Sequence, residues 1–168
     1  QTLETGSWIA FNGVTTHTVV LCIVSLCLLM VSALVSGAEI SFFSLSHNDV
    51  RRIRERRSAS SEGVFKLLGN VELLLATILV VNNLVNICIV ILTSNVIDAT
   101  FTFLRFEFLF KSVLVTFLLL LFGEILPKVF AQTVPVRFAC FAARPLLVLR
   151  WIFYPLSYIL VRTSSRIS

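Results

Sequence analysis

The chain has 168 residues, of which 57% are hydrophobic and 14% charged, and its mean hydropathy is +0.95. Soluble domains are about 45–50% apolar, so this composition excludes a soluble domain and indicates an integral membrane protein. The net charge of +5 would favour nucleic-acid binding in a soluble chain. In a membrane protein it is explained by basic cytoplasmic loops, and we predict no nucleic-acid partner.

The first predicted membrane span follows a polar segment, residues 1–17, that contains no Lys or Arg. A nearly continuous apolar stretch predicts a helix from Thr18 to Phe43, since about 20 apolar residues cross a bilayer core. The next segment, Ser46–Arg57, holds five arginines. Such a block marks the cytoplasmic side of a span, and it predicts contact with anionic lipids at the Arg51–Arg57 cluster.

Two further spans are predicted downstream. Residues 58–63 are typical of a loop or a helix cap, with the next helix beginning near Val64. A second apolar stretch predicts a span from Val71 to Val96. A third span is predicted from Phe106 to Phe122, with phenylalanines crowding its entrance as at a membrane interface.

The rest of the chain, Val134 to Ser168, is apolar but interrupted by prolines and arginines. We expect helices here that lie at the inner interface or re-enter the membrane, with the arginines reaching towards the lipid headgroups. The stretch Leu146–Val161 is a weaker candidate for a fourth span, because it is short and contains Arg150 and Pro155.

The distribution of basic residues predicts the topology. Of the 14 Lys and Arg residues, only Arg105 and Lys111 fall on the predicted outer side, which places the N-terminus outside and the C-terminus in the cytoplasm. The predicted fold class is an all-α integral membrane protein with three transmembrane helices and short juxtamembrane or re-entrant helices. Its parts are an extracytoplasmic segment, a three-span domain and a juxtamembrane region, at residues 1–17, 18–133 and 134–168.

Polar residues interrupt the first two spans. Ser32, Ser36 and Glu39 are spaced i, i+4 and i+7, which places them on one stripe of a helix. In the second span, Asn82 and Asn86 are four residues apart and share a face.

The third span ends in the segment Gly123-Glu124-Ile125-Leu126-Pro127-Lys128. A carboxylate at membrane depth is costly and usually faces a cavity. Pro127 has no N–H, so the Gly123 carbonyl loses its α-helical donor beside Glu124. Because the spans alternate in direction, we expect these polar groups to meet in the inner half of the membrane. Hydroxyl, amide, carboxylate and backbone oxygens suit Mg²⁺, with Na⁺ also possible, whereas the lack of His and Cys disfavours zinc and copper.

Each of these residues also has a purely structural interpretation. The serines would permit close helix packing or bond back to their own helix, and the asparagines would form hydrogen bonds between helices. Glu39 would be neutralised by an arginine, and Lys128 would be an interfacial cation or a partner of Glu124. We favour an ion site because all three predicted spans carry a matching polar interruption.

The motifs SALVSGAEISFFSL, LLATILVVNNLVNI and FGEILPKVFA, one at each polar interruption, resemble the DUF21 transmembrane domain of the CNNM/CorC proteins. The resemblance extends over about Val19–Val161. It implies a homodimer with an inward-facing ion cavity that exports Mg²⁺ in exchange for Na⁺, in a bacterial inner (plasma) membrane. It also implies that cytosolic CBS modules follow the residues present. The ion site carried over by motif comprises Ser32, Ser36, Asn82, Asn86, Gly123 and Glu124. The residues expected to shape or gate it are Gly37, Glu39, Pro127 and Lys128.

Two other functions remain open. One is a non-transporting dimeric membrane scaffold that senses Mg²⁺ and regulates a partner, and the other is a transporter of a different cation such as Na⁺ or Co²⁺. A membrane enzyme is disfavoured, because the sequence has no nucleophile–base pair or metal-hydrolase spacing.

Overall fold

The chain folds mainly into helices in the computed structural model. The residues that the structure describes are 9–11, 15–55, 58–103 and 107–164. Among them, three helical stretches are long and apolar enough to cross a membrane, Thr16–Phe43, Val71–Ala99 and Ser112–Thr133. The predicted fold class, with three membrane-spanning helices, is confirmed. The orientation of the termini across the membrane stays a prediction.

The first span is helix α1 (Thr16–Phe43). It begins slightly before the predicted Thr18, because the Thr15 side chain caps it and accepts a hydrogen bond from the Thr18 N–H at 3.3 Å. Its 28 residues correspond to a length of about 42 Å. This exceeds the roughly 30 Å hydrocarbon core, so α1 is long enough to extend beyond it.

Two short helices, α2 (His47–Glu55) and α3 (Ala59–Leu68), connect the first and second spans. The predicted helix start near Val64 is wrong. Ser58 Oγ accepts a hydrogen bond from the Ser61 N–H at 3.2 Å, so the serine-rich segment caps and opens α3 rather than forming a loop. Gly63, in the second turn of α3, lets this helix pack closely on another helix, because a Cβ at Gly63 would lie 3.3 Å from Ala143 Cβ.

The second span is α4 (Val71–Thr100), which begins at a cap provided by Asn70 and runs past the predicted end at Val96. One face packs mainly on α1. The buried residues of that face recur at helical spacing and are Leu74, Ile78, Val81, Val85 and Ile89. Large apolar side chains elsewhere on α4, such as Ile87 and Ile91, are exposed on the protein surface, as expected for contact with lipid.

The third span contains a change of helix type. Helix α5 (Glu107–Leu118) continues into a π-helical segment (Leu119–Ile125), which leads into α6 (Leu126–Thr133). The predicted end at Phe122 is therefore wrong. Within the π-helical segment hydrogen bonds skip one extra residue, and the Leu126 N–H donates to the Leu121 carbonyl. Pro127 lies in the first turn of α6, where its missing N–H is tolerated, so the chain stays helical through the proline.

A small antiparallel ribbon connects the N-terminal segment to the region between the second and third spans. Strand β1 (Ile9–Phe11) pairs with β2 (Phe101–Phe103), with Ile9 opposite Phe103. The sequence analysis assigned the phenylalanines after α4 to an interfacial zone and did not predict the ribbon. The pairing joins segments that are far apart in the chain, and a local pattern does not reveal such a contact.

Helices α7 (Pro135–Ile152) and α8 (Tyr154–Ser164) form the juxtamembrane region. Helix α7 packs on α1 and α3 through small or apolar buried residues, which are Ala139, Ala142, Ala143 and Leu146. Helix α8 packs on α4, where the buried hydroxyls of Thr77 and Ser157 lie 3.1 Å apart. The break between α7 and α8 at Phe153 interrupts the stretch considered as a fourth span, and none of the candidate spans in the described residues includes it.

Candidate functional site

A chain of hydrogen bonds joins one polar side chain from each of the three spans. Ser32 of α1 donates from Oγ to Asn86 Oδ1 of α4 at 2.8 Å. Asn86 in turn donates from Nδ2 to Glu124 Oε1 of the π-helical segment at 2.9 Å. Asn86 therefore bridges the first and third spans. The structure thus brings together predicted site residues that are 38 and 54 positions from Asn86 in the sequence.

Asn82 completes this cluster from the preceding turn of α4. Its Oδ1 lies 3.4 Å from Ser32 Oγ, a longer contact than the one that Ser32 makes with Asn86. Ser32 is fully buried, and its hydroxyl is directed across the helix interface rather than back to its own helix. Asn83 points elsewhere and bonds to the Leu79 carbonyl at 2.9 Å. Of the three asparagines in this motif, Asn82 and Asn86 alone thus reach the serine.

Gly123 lies against the same cluster, and its lack of a side chain makes room for Ser32. A Cβ at Gly123 would meet Ser32 Oγ and Leu119 Cδ1, each at 3.2 Å. These distances are tighter than ordinary van der Waals contact, so a larger residue would displace the serine or the leucine. The glycine is buried, whereas the adjacent Glu124 is half-buried, so the carboxylate keeps some access to the surroundings.

The π-helical segment places Glu124 beside Asn86. In π register the N–H of residue 127 would be directed at the carbonyl of Phe122, and Pro127 has no N–H to offer. The role predicted for the Gly123 carbonyl as a bare ligand oxygen stays a prediction. The irregularity in the third span consists of the π-helical segment followed by Pro127.

Ser36 lies one turn further along α1. It is fully buried, and its Oγ has no hydrogen-bond partner among the described residues. An unsatisfied buried hydroxyl costs about 1–3 kcal/mol, so a polar group without a partner beside a polar cluster points to a ligand or water that would satisfy it. Ser36 is thus a buried hydroxyl one turn from Ser32 on α1, and its place in the ion site stays a prediction.

Gly37 allows α1 to approach the end of the third span and α7. A Cβ there would come within 2.5 Å of the Phe138 ring and 3.2 Å of the Pro127 carbonyl oxygen. Gly37 and Pro127 therefore pack together, as expected of residues that shape the site. Phe138 was not among the predicted residues, and an aromatic residue in an apolar helix gives no signal that distinguishes it from lipid-facing neighbours.

Glu39 and Lys128 form an ion pair at the far end of this region, with Lys128 Nζ 3.2 Å from Glu39 Oε2. Both side chains are about one-third exposed, at 34% and 33%. The predicted partner of Glu39 was an arginine, and this was wrong because Glu39 pairs with a lysine. Lys128 pairs with Glu39 rather than with Glu124. The carboxylate of Glu124 is thus left to Asn86.

The donor set of this site is mostly neutral. It contains hydroxyl and amide groups from Ser32, Asn82 and Asn86, and one carboxylate from Glu124. Within the described residues, no three His, Cys, Asp or Glu side chains converge in a way that would hold a metal. A cation bound here would therefore be held by oxygen donors carrying a single negative charge, which is chemistry suited to a hard cation.

Comparison with known proteins assigns the family. The model of the cyclin M transmembrane N-terminal domain (CNNM) matches residues 23–168, which include most of the first span, the second and third spans and the juxtamembrane helices. A curated relative, the UPF0053 protein of Haemophilus influenzae, is 33% identical over 136 residues, which are 79% of this chain and 31% of that protein. The chain thus spans about a third of the length of the curated relative that it matches. Together with the three spans and their polar motifs, these matches show that the chain belongs to the cyclin M (CNNM) transmembrane domain family.

Proposed function

We propose that this domain binds Mg²⁺ between its three spans and moves it across the membrane. The observation that carries the proposal is the bridge made by Asn86, which joins Ser32 of the first span to Glu124 of the third. Polar residues that meet inside a membrane domain commonly mark an ion pathway. Family membership supports the same function, because the motifs at this cluster are those that resemble the Mg²⁺ transport family.

The chemistry of the cluster fits a cation that gives up part of its water shell. Mg²⁺ takes six oxygen ligands at about 2.0–2.1 Å and releases its water reluctantly. Asn86 Oδ1 and Glu124 Oε1 both accept hydrogen bonds within the cluster. A bound cation would replace those hydrogen bonds, so the oxygens are held together beforehand rather than assembled on binding. Ser36, whose hydroxyl has no partner in the part of the chain that the structure describes, would supply a further oxygen.

Export of Mg²⁺ coupled to Na⁺ entry is the direction that we propose, in a homodimer in the bacterial inner membrane. The basic residues support the orientation, because Arg51, Arg52 and Arg54 are exposed on α2, whose apolar Ile53 is buried. These arginines are suited to the anionic headgroups of a cytoplasmic leaflet. The remaining arginines of the predicted Arg51–Arg57 cluster lie outside the described residues.

The test is flux into liposomes that contain the purified chain and a Mg²⁺-sensitive dye. Mg²⁺ entry is expected for the wild type and for Glu72→Gln, a matched control in which an exposed glutamate of α4 is neutralised. Entry should be lost in Glu124→Gln, which keeps the size of the side chain but removes its charge. Equal Mg²⁺ flux in Glu72→Gln and Glu124→Gln would refute the proposal. Mg²⁺ binding without flux in the wild type would instead support a sensing scaffold, and preference for another ion in competition would change the substrate.

A further inference from the structure

Each span places an apolar side chain about one helical turn from its polar site residue, always towards the same side of the membrane domain. Leu29 precedes Ser32 on α1, and Ile89 follows Asn86 on α4, which runs in the opposite direction. Leu119 precedes Glu124 by one π-helical hydrogen-bond step. These three residues, called here the apolar layer, therefore lie on the side at which α1 begins. The serine–asparagine–glutamate cluster lies directly beyond them.

The apolar layer is in contact with the polar site. A Cβ at Gly123 would lie 3.2 Å from Leu119 Cδ1 and 3.4 Å from Leu29 Cδ1, as well as 3.2 Å from Ser32 Oγ. Gly123 thus marks the boundary at which the polar cluster meets two leucine side chains. Ile89 and Leu119 belong to the buried core, with exposures of 4% and 9%, and Leu29 packs against that core.

On the other side of the apolar layer is a cavity of about 220 Å³ between the same three spans. All three residues of the layer line it. The other lining residues are mostly apolar and include Cys22, Ser25, Thr93, Val96, Val115 and Leu118. A cavity with so few polar groups holds water poorly, whereas the cluster beyond the layer is polar. The layer thus separates the polar cluster from a mostly apolar cavity.

From this arrangement we infer that Leu29, Ile89 and Leu119 form a hydrophobic barrier that retains the cation in its site, with the apolar cavity on the other side of the barrier. The inference rests on the proposed function, because it names the barrier on the pathway of that same ion. Apolar constrictions block ions by excluding water, since a cation crossing them has neither ligands nor hydration. On the proposed topology, the barrier closes the extracytoplasmic side.

The π-helical segment links the barrier to the site. Leu119 is its first residue, and Glu124 lies within the same segment. If the π-helical segment returned to α register, each hydrogen bond would span one residue fewer. The two ends of the segment would then rotate relative to each other by about 100°. A change in the contacts of Glu124 would therefore be transmitted to Leu119 within a single turn. This coupling gives ion binding a direct route to opening the barrier.

The experiment measures K⁺ loss from K⁺-loaded liposomes in buffer without Mg²⁺, with the full chain as wild type, Leu119→Ser or Leu120→Ser. Leu120 is the matched control, because it is the same residue type in the same segment but is 44% exposed on the outer surface. Liposomes with Leu119→Ser are expected to lose K⁺ several-fold faster than those with the wild type, because the hydroxyl allows water into the apolar layer. Liposomes with Leu120→Ser should lose K⁺ at the wild-type rate. Leu29→Ser, with Met30→Ser as its control, repeats the comparison at a less buried position should Leu119→Ser fail to fold.

The outcomes separate the barrier from the proposed function. Equal K⁺ loss in a folded layer variant and its control, with Mg²⁺ flux present in the wild type, would refute the barrier alone. Fast K⁺ loss in the layer variants without any Mg²⁺ flux in the wild type would refute the proposed function and leave the barrier standing. Fast K⁺ loss together with Glu124-dependent Mg²⁺ flux in the wild type would support both.

Discussion

Asn86 donates a hydrogen bond to Glu124 across the interface between α4 and the π-helical segment, with Nδ2 and Oε1 2.9 Å apart. The same amide accepts from Ser32 Oγ through its oxygen. A single amide therefore connects the third span to the first. Its loss would remove the Asn86 hydrogen bond to Glu124 and leave Ser32 with its longer contact to Asn82 alone among the described residues.

Replacement of Asn86 by alanine should abolish Mg²⁺ binding and lower the free energy of unfolding. We expect a loss of about 1–3 kcal/mol, because the partners in Ser32 and Glu124 lose their hydrogen bonds in a partly buried site. Thermal unfolding of the detergent-solubilised protein measures the change. Asn83→Ala is the matched control, since Asn83 is exposed and donates a hydrogen bond to the Leu79 carbonyl of its own helix. Equal effects of the two substitutions would contradict the role assigned to Asn86.

Gly123→Ala tests the close approach of the third span to Ser32. The added methyl group would lie 3.2 Å from both Ser32 Oγ and Leu119 Cδ1, so we expect a destabilisation of about 1–3 kcal/mol and weaker Mg²⁺ binding. Gly69→Ala is the control, because Gly69 is exposed, has an ordinary helical φ of −62° and has no atom closer than 3.4 Å to an added Cβ. Wild-type Mg²⁺ affinity in Gly123→Ala would contradict a role for this close approach in ion binding.

The ion pair of Glu39 and Lys128 predicts opposite effects of its two single neutralisations. Lys128→Gln leaves a negative charge near the site and should tighten Mg²⁺ binding, whereas Glu39→Gln leaves a positive charge and should weaken it. Partly exposed charges are screened, so each change should be no more than about fivefold and should shrink with added salt.

Binding titrations at low and high salt measure these changes. The exposed pair of Glu62 and Lys66, which are 3.1 Å apart, serves as the control and should have no effect on Mg²⁺ binding. Shifts of the same sign for Glu39→Gln and Lys128→Gln would argue against an electrostatic role.

Asp49 predicts an acid-sensitive start of α2. Its carboxylate accepts hydrogen bonds from the Ser46 hydroxyl at 2.7 Å and the Ser46 N–H at 3.1 Å. These two bonds, the hydroxyl first, and to a lesser degree the charge of Arg52, hold the pKa of Asp49 below its ordinary value. Because the pKa is lower in the folded state, this stabilisation is present above the pKa of an unfolded aspartate, about 3.9, and is lost as the pH falls through the lower folded value.

The measurement for Asp49 is the melting temperature of the wild type and Asp49→Asn between pH 7 and pH 3. The two proteins should differ at neutral pH and begin to converge as the pH falls below about 3.9, because protonation then starts to remove the contribution of the wild-type carboxylate. A difference that stayed constant over this range would show that the charge of Asp49 does not support the helix start.

The polar residues of the site were predictable from the sequence because each stands alone in an apolar stretch. Ser32 shares a helix stripe with Ser36, and Asn86 shares a face with Asn82. The structure brings Ser32, Asn86 and Glu124 of the three spans together through hydrogen bonds. The ribbon between β1 and β2 was not predictable, because its pairing depends on residues far apart in the chain. Nor was the continuation of the third span, because a proline ordinarily signals the end of a helix, and the π register that retains it leaves no local sequence pattern.

Partners and apolar neighbours were harder to predict than the site itself. Lys128 was considered as a partner of Glu124, but it pairs with Glu39 of α1, and the spacing of residues along one helix does not reveal a contact between two helices. The apolar layer consists of the same residue types as the lipid-facing surface, and only the packing of the three helices distinguishes Leu29, Ile89 and Leu119 from that surface. Sequence patterns therefore identified the chemistry of the site better than its boundaries.

The central claim is that the three spans bind Mg²⁺ through Glu124, and the most direct measurement is a titration of thermal stability with Mg²⁺. Wild type, Glu72→Gln and Glu124→Gln are compared in detergent, with Na⁺, Ca²⁺ and Co²⁺ as competing ions. A ligand that binds only the folded state stabilises it by about 2.7 kcal/mol at one hundred times its Kd. We expect a Mg²⁺-selective rise in Tm for the wild type and Glu72→Gln, and none for Glu124→Gln. An equal rise in Glu124→Gln would contradict the claim.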